Sequence, residues 1–583
     1  MKKIIYLCSL ALGAMCLVGC EDFLDTESLT KKNTGNFPWT EIDAQQMVAG
    51  IYTVMNNNLE DPESDPFFIF DLASDDRLGG GSQSNIGAQA CDRLMCNKKD
   101  ELINLWDKRY QGIYRANYAI ETMDNVTGWS SDAAKNQLLG EAYFLRAFYY
   151  FNLVQVFGEA PLRLSTLSEN LPKSSAEVLY AQIASDLKKA IEIFPAKRYP
   201  EFGEGKASKW AAEGMMARVW LFYTGFYKKE ALPLTDGGTV TKAQVVSWLE
   251  DCIANSGHRL VSDQRNLWPY TNPYTARSYK YARDNGLVWE TDENPESMFA
   301  VKMSNKGSFK AGEQRHNRIV EFYNPRKAGK TSFPFNATGY SNGPVCETLW
   351  TDWAADADYA GDYRREGSIC KRAVELPDYI GDAAKEVENT DLFCKKYLGC
   401  GAYSADSTTL YESYAMRYGG ENNKQTGLTQ SLVWLRFADV LLMHSELTDG
   451  AVIIDGKSGM NAVRARAGLP DMAYSLDNLI KERRYELCCE AIRWNDLRRW
   501  DKVGVIVTNQ EGNVIVNQGD TATYQWSSDG HFMARYEATN GGFFKIPESE
   551  IVLSDGVLTQ NPGWEDGTDS NWAKGDLPYY KKK

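Results

Sequence analysis

Hydrophobic residues dominate the run 140–162 (GEAYFLRAFYYFNLVQVFGEAPL), and this pattern predicts one helix that stops near its second glycine. On a helical wheel, Glu141, Asn152 and Gln155 share one narrow stripe, whereas Arg146 lies on the opposite side among aromatic residues. A helix that is apolar over most of its circumference has to be covered by other helices. Because the run is too short and too polar to span a membrane, we predict the central helix of a helical packing.

The same periodicity predicts further helices in two groups along the chain. Their approximate bounds are 43–56, 99–123, 174–194, 207–227, 242–256, 433–446, 459–467 and 476–500. Helices of this length in successive pairs favour a mainly α fold with a tetratricopeptide-like scaffold, although no strict repeat is visible. We place this scaffold at about 41–256 and 432–500, and we expect the helices ending near Met123 and beginning near Leu476 to cover the central one.

Between the two helical groups, the region 257–431 mixes aromatic residues with Gly, Asn, Asp and Pro and keeps no helical period. Short runs such as 297–301 (SMFAV) indicate a few short β-strands. We predict long irregular loops for 257–431 and for 501–583, and an irregular tether for 20–40. All of these segments are assigned to a single domain that covers 20–583.

Arg146 needs a partner, because an unpaired charge inside a protein is costly. The predicted helix 476–500 offers carboxylates at helical spacing, so we expect Arg146 to contact Glu486 or Glu490. Together with Arg493 these residues are interpreted as a structural ion network. The alternative is a pair of hydrolytic carboxylates, which requires a cleft and a defined separation that spacing on one helix does not establish.

The first residues have the pattern of a secretory signal. Lys2 and Lys3 precede an apolar stretch at 4–18, and Leu-Val-Gly-Cys follows, ending at Cys20. This ending resembles a bacterial lipobox, which implies that 1–19 is a lipoprotein signal peptide and that Cys20 carries the lipid. An ordinary signal peptide with an incidental cysteine is the alternative.

Charge and cysteine content narrow the class of protein. The formal net charge of -14 disfavours nucleic-acid binding, which needs clustered positive charge. Nine of the twelve cysteines follow Cys20, and we interpret them as structural thiols. Disulfides between Cys91 and Cys96 or between Cys394 and Cys400 are the alternative in an exported protein. A zinc site would need tighter Cys and His groupings.

Several motifs in chain order together resemble the SusD/RagB family of outer-membrane lipoproteins. They are 20–25 (CEDFLD), 106–117 (WDKRYQGIYRAN), 140–162, 294–299 (NPESMF), 435–442 (LRFADVLL), 461–467 (NAVRARA), 482–500 (ERRYELCCEAIRWNDLRRW) and 543–564. The resemblance implies a helical scaffold with loop insertions that form the ligand face. It also implies a cell-surface protein on the outer membrane, with Glu21 and Asp22 resembling the surface-export signal of this group.

The resemblance further implies a non-catalytic lid on a SusC-like TonB-dependent transporter that captures glycans or, in some relatives, peptides. A surface glycoside hydrolase is the less favoured alternative. Sugars need flat apolar faces and hydrogen-bonding side chains, which aromatic residues with Asn, Asp and Arg on loops supply. The ligand-binding candidates are Asp75, Arg77, Asn85, Trp268, Tyr270, Tyr274, Tyr279, Arg315, Asn317, Tyr323, Asn324 and Tyr340.

Signals for a cofactor are weak, and none is predicted. Asp356, Asp358 and Asp362 faintly suggest a structural calcium ion, but the loop lacks the full ligand series, so a solvated acidic loop is the preferred interpretation. Nucleotide-binding and metalloprotease motifs are absent from the sequence. We interpret His444 as a packed residue.

Overall fold

The computed structural model describes most of the chain from 37 to 564 and one short strand beyond it. The described residues are 37–57, 61–82, 84–96, 99–202, 205–276, 279–291, 293–303, 316–326, 334–335, 339–376, 379, 386–400, 402–403, 410–411, 428–511, 513–516, 524–526, 531–564 and 580–582. The predicted signal peptide, the lipidation site at Cys20 and most of the predicted tether lie outside these residues.

The protein is mainly α-helical, as predicted. The α-helices are α1 (Glu41–Asn57), α2 (Pro66–Leu72), α3 (Ile86–Asp92), α4 (Ile103–Thr122), α5 (Asp132–Phe157), α6 (Ala176–Ile193), α7 (Lys209–Phe226), α8 (Lys242–Asn255), α9 (Pro273–Ala276), α10 (Lys280–Asp284), α11 (Arg318–Tyr323), α12 (Glu347–Ala355), α13 (Arg364–Ser368), α14 (Arg372–Glu375), α15 (Phe437–Leu447), α16 (Gly459–Arg466), α17 (Leu476–Glu486), α18 (Arg493–Arg499), α19 (Val505–Gln510), α20 (Phe532–Ala538) and α21 (Glu548–Leu553).

The strands are short and form small separate sheets. They are β1 (Leu232–Pro233), β2 (Thr239–Val240), β3 (Ser297–Val301), β4 (Ile369–Lys371), β5 (Leu392–Cys394), β6 (Ala402–Tyr403), β7 (Leu410–Tyr411), β8 (Leu432–Arg436), β9 (Val452–Ile454), β10 (Lys457–Ser458), β11 (Val514–Ile515), β12 (Tyr524–Trp526) and β13 (Tyr580–Lys582). Antiparallel pairs join β1 to β2, β3 to β8, β4 to β5, β6 to β7 and β9 to β10, and β12 lies between β11 and β13.

Successive long helices pack on one another, α4 on α5, α5 on α6, α6 on α7 and α7 on α8. This chain of neighbouring helices is the predicted tetratricopeptide-like scaffold. The central helix α5 begins where the Ser131 side chain accepts a hydrogen bond from the Ala134 amide, and it ends at Gly158. Of its two predicted neighbours, α4 is confirmed. The segment predicted as the helix 476–500 reaches α5 through its second half, α18, where Arg498 donates to the Gln155 carbonyl oxygen at 2.8 Å, and α6 packs on α5 as well.

Arg146 is buried in a carboxylate contact, as predicted, but its partner is Asp186 on α6. Its Nε and Nη2 atoms donate to the two Asp186 carboxylate oxygens at 2.8 and 2.6 Å, and Nη1 donates to Asn117 at 2.9 Å. The prediction of Glu486 or Glu490 was wrong, because α6 packs directly on α5 and brings its own carboxylate to the arginine.

The two predicted helices nearest the charged region differ from the observed ones. The run beginning at 433 starts as β8, which pairs with β3 from Ser297 to Val301, and becomes helical only at α15. The helix predicted at 476–500 is divided into α17 and α18, because Cys489 and Ala491 adopt left-handed φ values of 61 and 59°.

The predicted ion network exists around Glu486 and Glu490, with other cations than expected. Arg436 donates to Glu486 and Glu490 at 2.6 Å each, and Arg364 donates to Glu486 at 2.8 Å. Burial alone raises the pKa of Glu486, but the surrounding arginines hold it well below its usual value. Arg493 was wrongly assigned to this network, because the break before α18 turns it toward another carboxylate, that of Asp75.

Side chains that suggested metal or disulfide chemistry have structural roles here. The nine cysteines after Cys20 are free and buried, which confirms the structural thiols, and His444 is buried on α15. The carboxylate of Asp362 is engaged by Arg364 and Trp353, and Asp356 pairs with Lys481. Among the described residues, no group of three or more His, Cys, Asp or Glu side chains could hold a metal ion.

Candidate ligand-binding site

The segment 74–96, which carries three of the ligand-binding candidates, is largely buried against the region 257–431, which we call the insertion. Asp75 is fully buried and accepts from Arg493 at 2.7 and 2.8 Å. Arg77 is fully buried too, and it donates to Asp71 at 2.7 Å and to the carbonyl oxygen of Gly343 at 2.5 Å. In this structure these two candidates hold the segment in place and have no surface for a ligand.

The aromatic group near residue 270 is also internal. Trp268, Tyr270 and Tyr279 are 3%, 0% and 6% exposed, respectively. The Lys395 ammonium lies 5.3 Å from the Tyr270 ring and 5.7 Å from the Tyr279 ring, and burial raises the pKa of both tyrosines well above the usual value. These rings pack around a buried cation. The side chain of Tyr274 lies outside the described residues.

Candidates of the segment 315–324 support the backbone. Asn317 caps α11 and donates to the Gln430 carbonyl oxygen at 2.9 Å. Tyr323 donates to Asp71 at 2.8 Å, and the Asn324 side chain accepts from the Gly399 amide at 2.8 Å. All three are at most 1% exposed. Arg315 lies outside the described residues.

The remaining two candidates, Asn85 and Tyr340, are partly exposed, and Arg326 joins them. Arg326 Nη2 donates to the Asn85 side-chain oxygen at 3.4 Å and to the Tyr340 carbonyl oxygen at 3.1 Å, and its guanidinium lies 5.7 Å from the Tyr340 ring centre. Exposed Ser84 lies beside Asn85 in sequence. We refer to Ser84, Asn85, Arg326 and Tyr340 as the Arg326 cluster.

A glycine turn brings the first half of this cluster to the second. Gly80 and Gly81 have φ values of 63 and 83°, which residues with a side chain rarely adopt. A Cβ on Gly80 would lie 2.4 Å from Pro344. The backbone at 80 bridges Asn342, and Ser82 bridges Glu386. The turn therefore places Asn85 against the segment that carries Tyr340.

Buried polar contacts fix the other half of the cluster. The Arg326 amide donates to the Ser341 hydroxyl at 2.6 Å, and Ser341 donates to the Glu386 carboxylate at 3.0 Å. The single hydroxyl proton of Tyr379 is shared between the Glu386 carboxylate and the Arg326 carbonyl oxygen, which lies 2.6 Å from the hydroxyl. Because these groups are satisfied internally, the backbone that presents Arg326 and Tyr340 is rigidly held.

The outer atoms of the cluster are available for hydrogen bonds. The Asn85 oxygen already accepts from Ser82 and Arg326, but its amide nitrogen, Arg326 Nη1 and the Tyr340 hydroxyl contact no polar partner among the described residues. Phe322 packs behind the Tyr340 ring at 4.9 Å. The cluster combines fixed donors with a supported aromatic ring, which suits a ligand with hydroxyl groups and C–H faces.

Sequence reasoning found two members of this cluster and missed Arg326 and Ser84. Arg326 lies two residues after the candidate Asn324, in a stretch rich in aromatic residues. This proximity to a candidate was the only hint in the sequence that Arg326 belongs to the site. Within the part of the chain that the structure covers, no helix is long and apolar enough to cross a membrane.

Comparison with known proteins gives matches in chain order. A family model described as "Starch-binding associating with outer membrane" matches 22–221, and the "SusD family" model matches 380–564. SusD-like protein P25 of Formosa agariphila is 23% identical over an alignment 516 positions long, which covers 82% of this chain and 87% of the relative. A SusD-like protein of Bacteroides ovatus is 24% identical over 79% of this chain and 81% of its own.

Solved structures agree with the helical architecture. A laminarin-binding SusD-like protein is 25% identical with a TM-score of 0.66, covering 90% of this chain and 100% of that chain. Surface glycan-binding protein A from Bacteroides thetaiotaomicron in complex with laminarihexaose is 19% identical, also with a TM-score of 0.66, over 90% of this chain and 99% of that chain. These agreements in sequence and tetratricopeptide-like architecture show that the chain belongs to the SusD/RagB family.

Proposed function

We propose that this protein binds a glycan at the Arg326 cluster and performs no catalysis on it. The observation that carries the proposal is the supported, partly exposed Tyr340 ring beside unengaged polar atoms of Asn85 and Arg326. A sugar offers C–H faces for such a ring and hydroxyl groups for such donors. The laminarin-binding relative supports a glycan as the ligand class.

Binding is tested by affinity electrophoresis of the full mature protein in native gels that contain laminarin or soluble starch. Arg326→Ala combined with Tyr340→Ala should weaken retardation at least about tenfold, because both the donor and the ring are lost. The matched control combines Arg198→Ala with Tyr474→Ala, an exposed arginine and a partly buried tyrosine elsewhere. Equal retardation of both variants would contradict the assigned site, and release of sugar products would contradict the absence of catalysis.

We further propose that the protein delivers the glycan to a SusC-like TonB-dependent transporter and covers its opening. Family membership supports this partner, and the outer-membrane description of the matching family model supports the location. Co-purification of the transporter with a tagged copy of this protein, in detergent, is the expected result. Recovery of the tagged protein without any transporter would contradict it.

The proposed anchor is lipid on Cys20, which places residues 1–19 in a cleaved signal and 20–583 in one mature domain. Wild-type protein should incorporate labelled palmitate and sediment with the outer membrane, since several acyl chains give stable anchoring. Cys20→Ala should abolish the label and leave the protein outside that membrane. Equal labelling of wild type and variant is the result that excludes this anchor.

A further inference from the structure

A groove lies between α4, the loop after α5 and α21. It shares no lining residue with the Arg326 cluster. It has a volume of about 350 Å³, within the range of about 300–1,000 Å³ that small-molecule sites have. Trp106, Tyr110, Arg163, Asn170 and Glu550 are among its lining residues. Such a groove is large enough for part of an oligosaccharide.

The aromatic floor of the groove is held in a fixed orientation. Trp106 is 3% exposed and supports the floor, donating to Glu550 at 3.1 Å. The partly exposed Tyr110 presents the accessible ring and donates to the carbonyl oxygen of Pro161 at 2.8 Å. The two rings lie 5.0 Å apart, and the Arg163 guanidinium lies 5.9 Å from the Tyr110 ring. A floor fixed in this way needs no rearrangement to receive the face of a sugar ring.

The polar groups at the rim are unengaged. The side chains of Asp107, Arg163 and Asn170 make no hydrogen bond or ion pair with any described residue, and none of them is buried. Together they offer acceptors, donors and an amide around the aromatic floor. This mixture matches hydroxyl groups, which both donate and accept, better than it matches an apolar or purely ionic ligand.

The charge of the groove favours a neutral ligand. One arginine faces the carboxylates of Asp107 and Glu550, so an anionic polymer gains no net attraction. Partial desolvation raises the pKa of both carboxyl groups, and their mutual repulsion raises that of Glu550 further. With one arginine and two carboxylates, the groove has no net positive charge that would attract an anionic ligand.

We propose that this groove is a second binding site for a neutral glucan, contacting it through Tyr110, Asp107, Arg163 and Asn170. The inference rests on the proposed glycan-binding function and extends it to another surface of the same molecule. Two sites on one chain would hold a long polysaccharide more tightly than either site alone, through a raised effective concentration.

Titration calorimetry with laminarihexaose and with maltohexaose tests this site on the full mature protein. Wild type should bind two molecules of one of these sugars per chain, and Asp107→Ala with Asn170→Ala should bind one. Both changes are at exposed positions, so folding is preserved, and Asp236→Ala with Asn255→Ala is the matched control that keeps two. The Arg326→Ala and Tyr340→Ala protein should also bind one, through this groove.

The outcomes separate the two sites. A groove variant that still binds two molecules, or a wild type that binds one and loses it only through Arg326 and Tyr340, overturns the groove. A wild type that binds one and loses it only through Asp107 and Asn170 overturns the Arg326 site and supports the groove. Wild type that binds neither sugar overturns both assignments.

Discussion

At the scale of single residues, solvent exposure distinguishes the side chains that can bind a ligand from those that pack inside the protein. Tyr323 and Tyr340 are both tyrosines in irregular sequence, yet one is 1% exposed and bonds to Asp71, while the other is partly exposed beside Arg326. Residue type and sequence neighbourhood selected both tyrosines as ligand-binding candidates. Only the packing of α2 and Arg77 on Tyr323 decided which of the two can meet a ligand.

Asp92 on α3 provides a residue-scale prediction of pH dependence. Burial raises its pKa to about 7, although Gln510 donates to it at 2.8 Å. Between about pH 4 and pH 7, the folded state therefore holds a proton that the unfolded state, with a pKa of about 3.9, has released. This group lowers the free energy of unfolding as pH rises from about 4 to about 7, by up to about 1.4 kcal/mol per pH unit.

Asp92→Asn should remove this dependence, since its side chain is neutral throughout. Urea unfolding at several pH values between 4 and 7 measures it: the stability difference, variant minus wild type, should increase steadily with pH. Asp555→Asn, at an exposed position, should give a constant difference. A constant difference for both proteins would show that Asp92 stays ionised.

At the scale of secondary-structure elements, the local hydrophobic pattern predicted well those helices that pack one face on a neighbouring helix. It failed at the junction of α17 and α18, where the left-handed Cys489 and Ala491 interrupt a run of good helix formers. The interruption places Glu490 between Lys396 and Arg436, at 2.6 Å from each. Long-range ion pairing therefore outweighed local helix propensity there.

The end of the central helix provides an element-scale prediction. Gly158 has a φ of 75°, and a Cβ there would lie 2.9 Å from the Phe543 ring. Gly158→Ala should cost about 2–4 kcal/mol of unfolding free energy, from backbone strain and the displaced ring. Gly128→Ala is the control, since its φ is 69° but nothing lies within 4 Å, and it should cost about 1 kcal/mol.

Chemical unfolding curves of the two alanine variants give this comparison directly. The difference between their unfolding midpoints reports the contact with Phe543, because both share the backbone strain. If the two variants lose the same free energy of unfolding, then the Phe543 ring moves aside at no cost and does not stabilise the end of α5.

At the scale of the whole molecule, buried ion pairs connect the insertion to the helical scaffold. Arg364 of α13 donates to Glu482 at 2.6 Å and to Glu486 at 2.8 Å, both on α17. Asp362 accepts from the same guanidinium at 2.8 Å. Removing this arginine would take one cation away from three buried carboxylates. Glu482 would keep Arg464 and Glu486 would keep Arg436, but Asp362 would lose its ion-pair partner, and an uncompensated buried charge is costly.

Arg364→Met should therefore destabilise the scaffold as well as the insertion, by about 3–5 kcal/mol. Hydrogen exchange should become faster in both α13 and α17. The neighbouring Arg365→Met is the control, because Arg365 is more exposed and pairs with adjacent Glu366, and it should change stability by less than about 1 kcal/mol. Faster exchange confined to α13 would show that the two regions open independently.

The sequence by itself determined the helical class, the family and the central helix, because hydrophobic periodicity and ordered motifs are local properties of a chain. It also determined that Arg146 needs a buried carboxylate. Only the tertiary structure decided that the carboxylate is Asp186 and that Arg326 joins Asn85 to Tyr340. Those contacts connect residues far apart in sequence, and their formation depends on which surfaces pack together, which residue spacing alone does not specify.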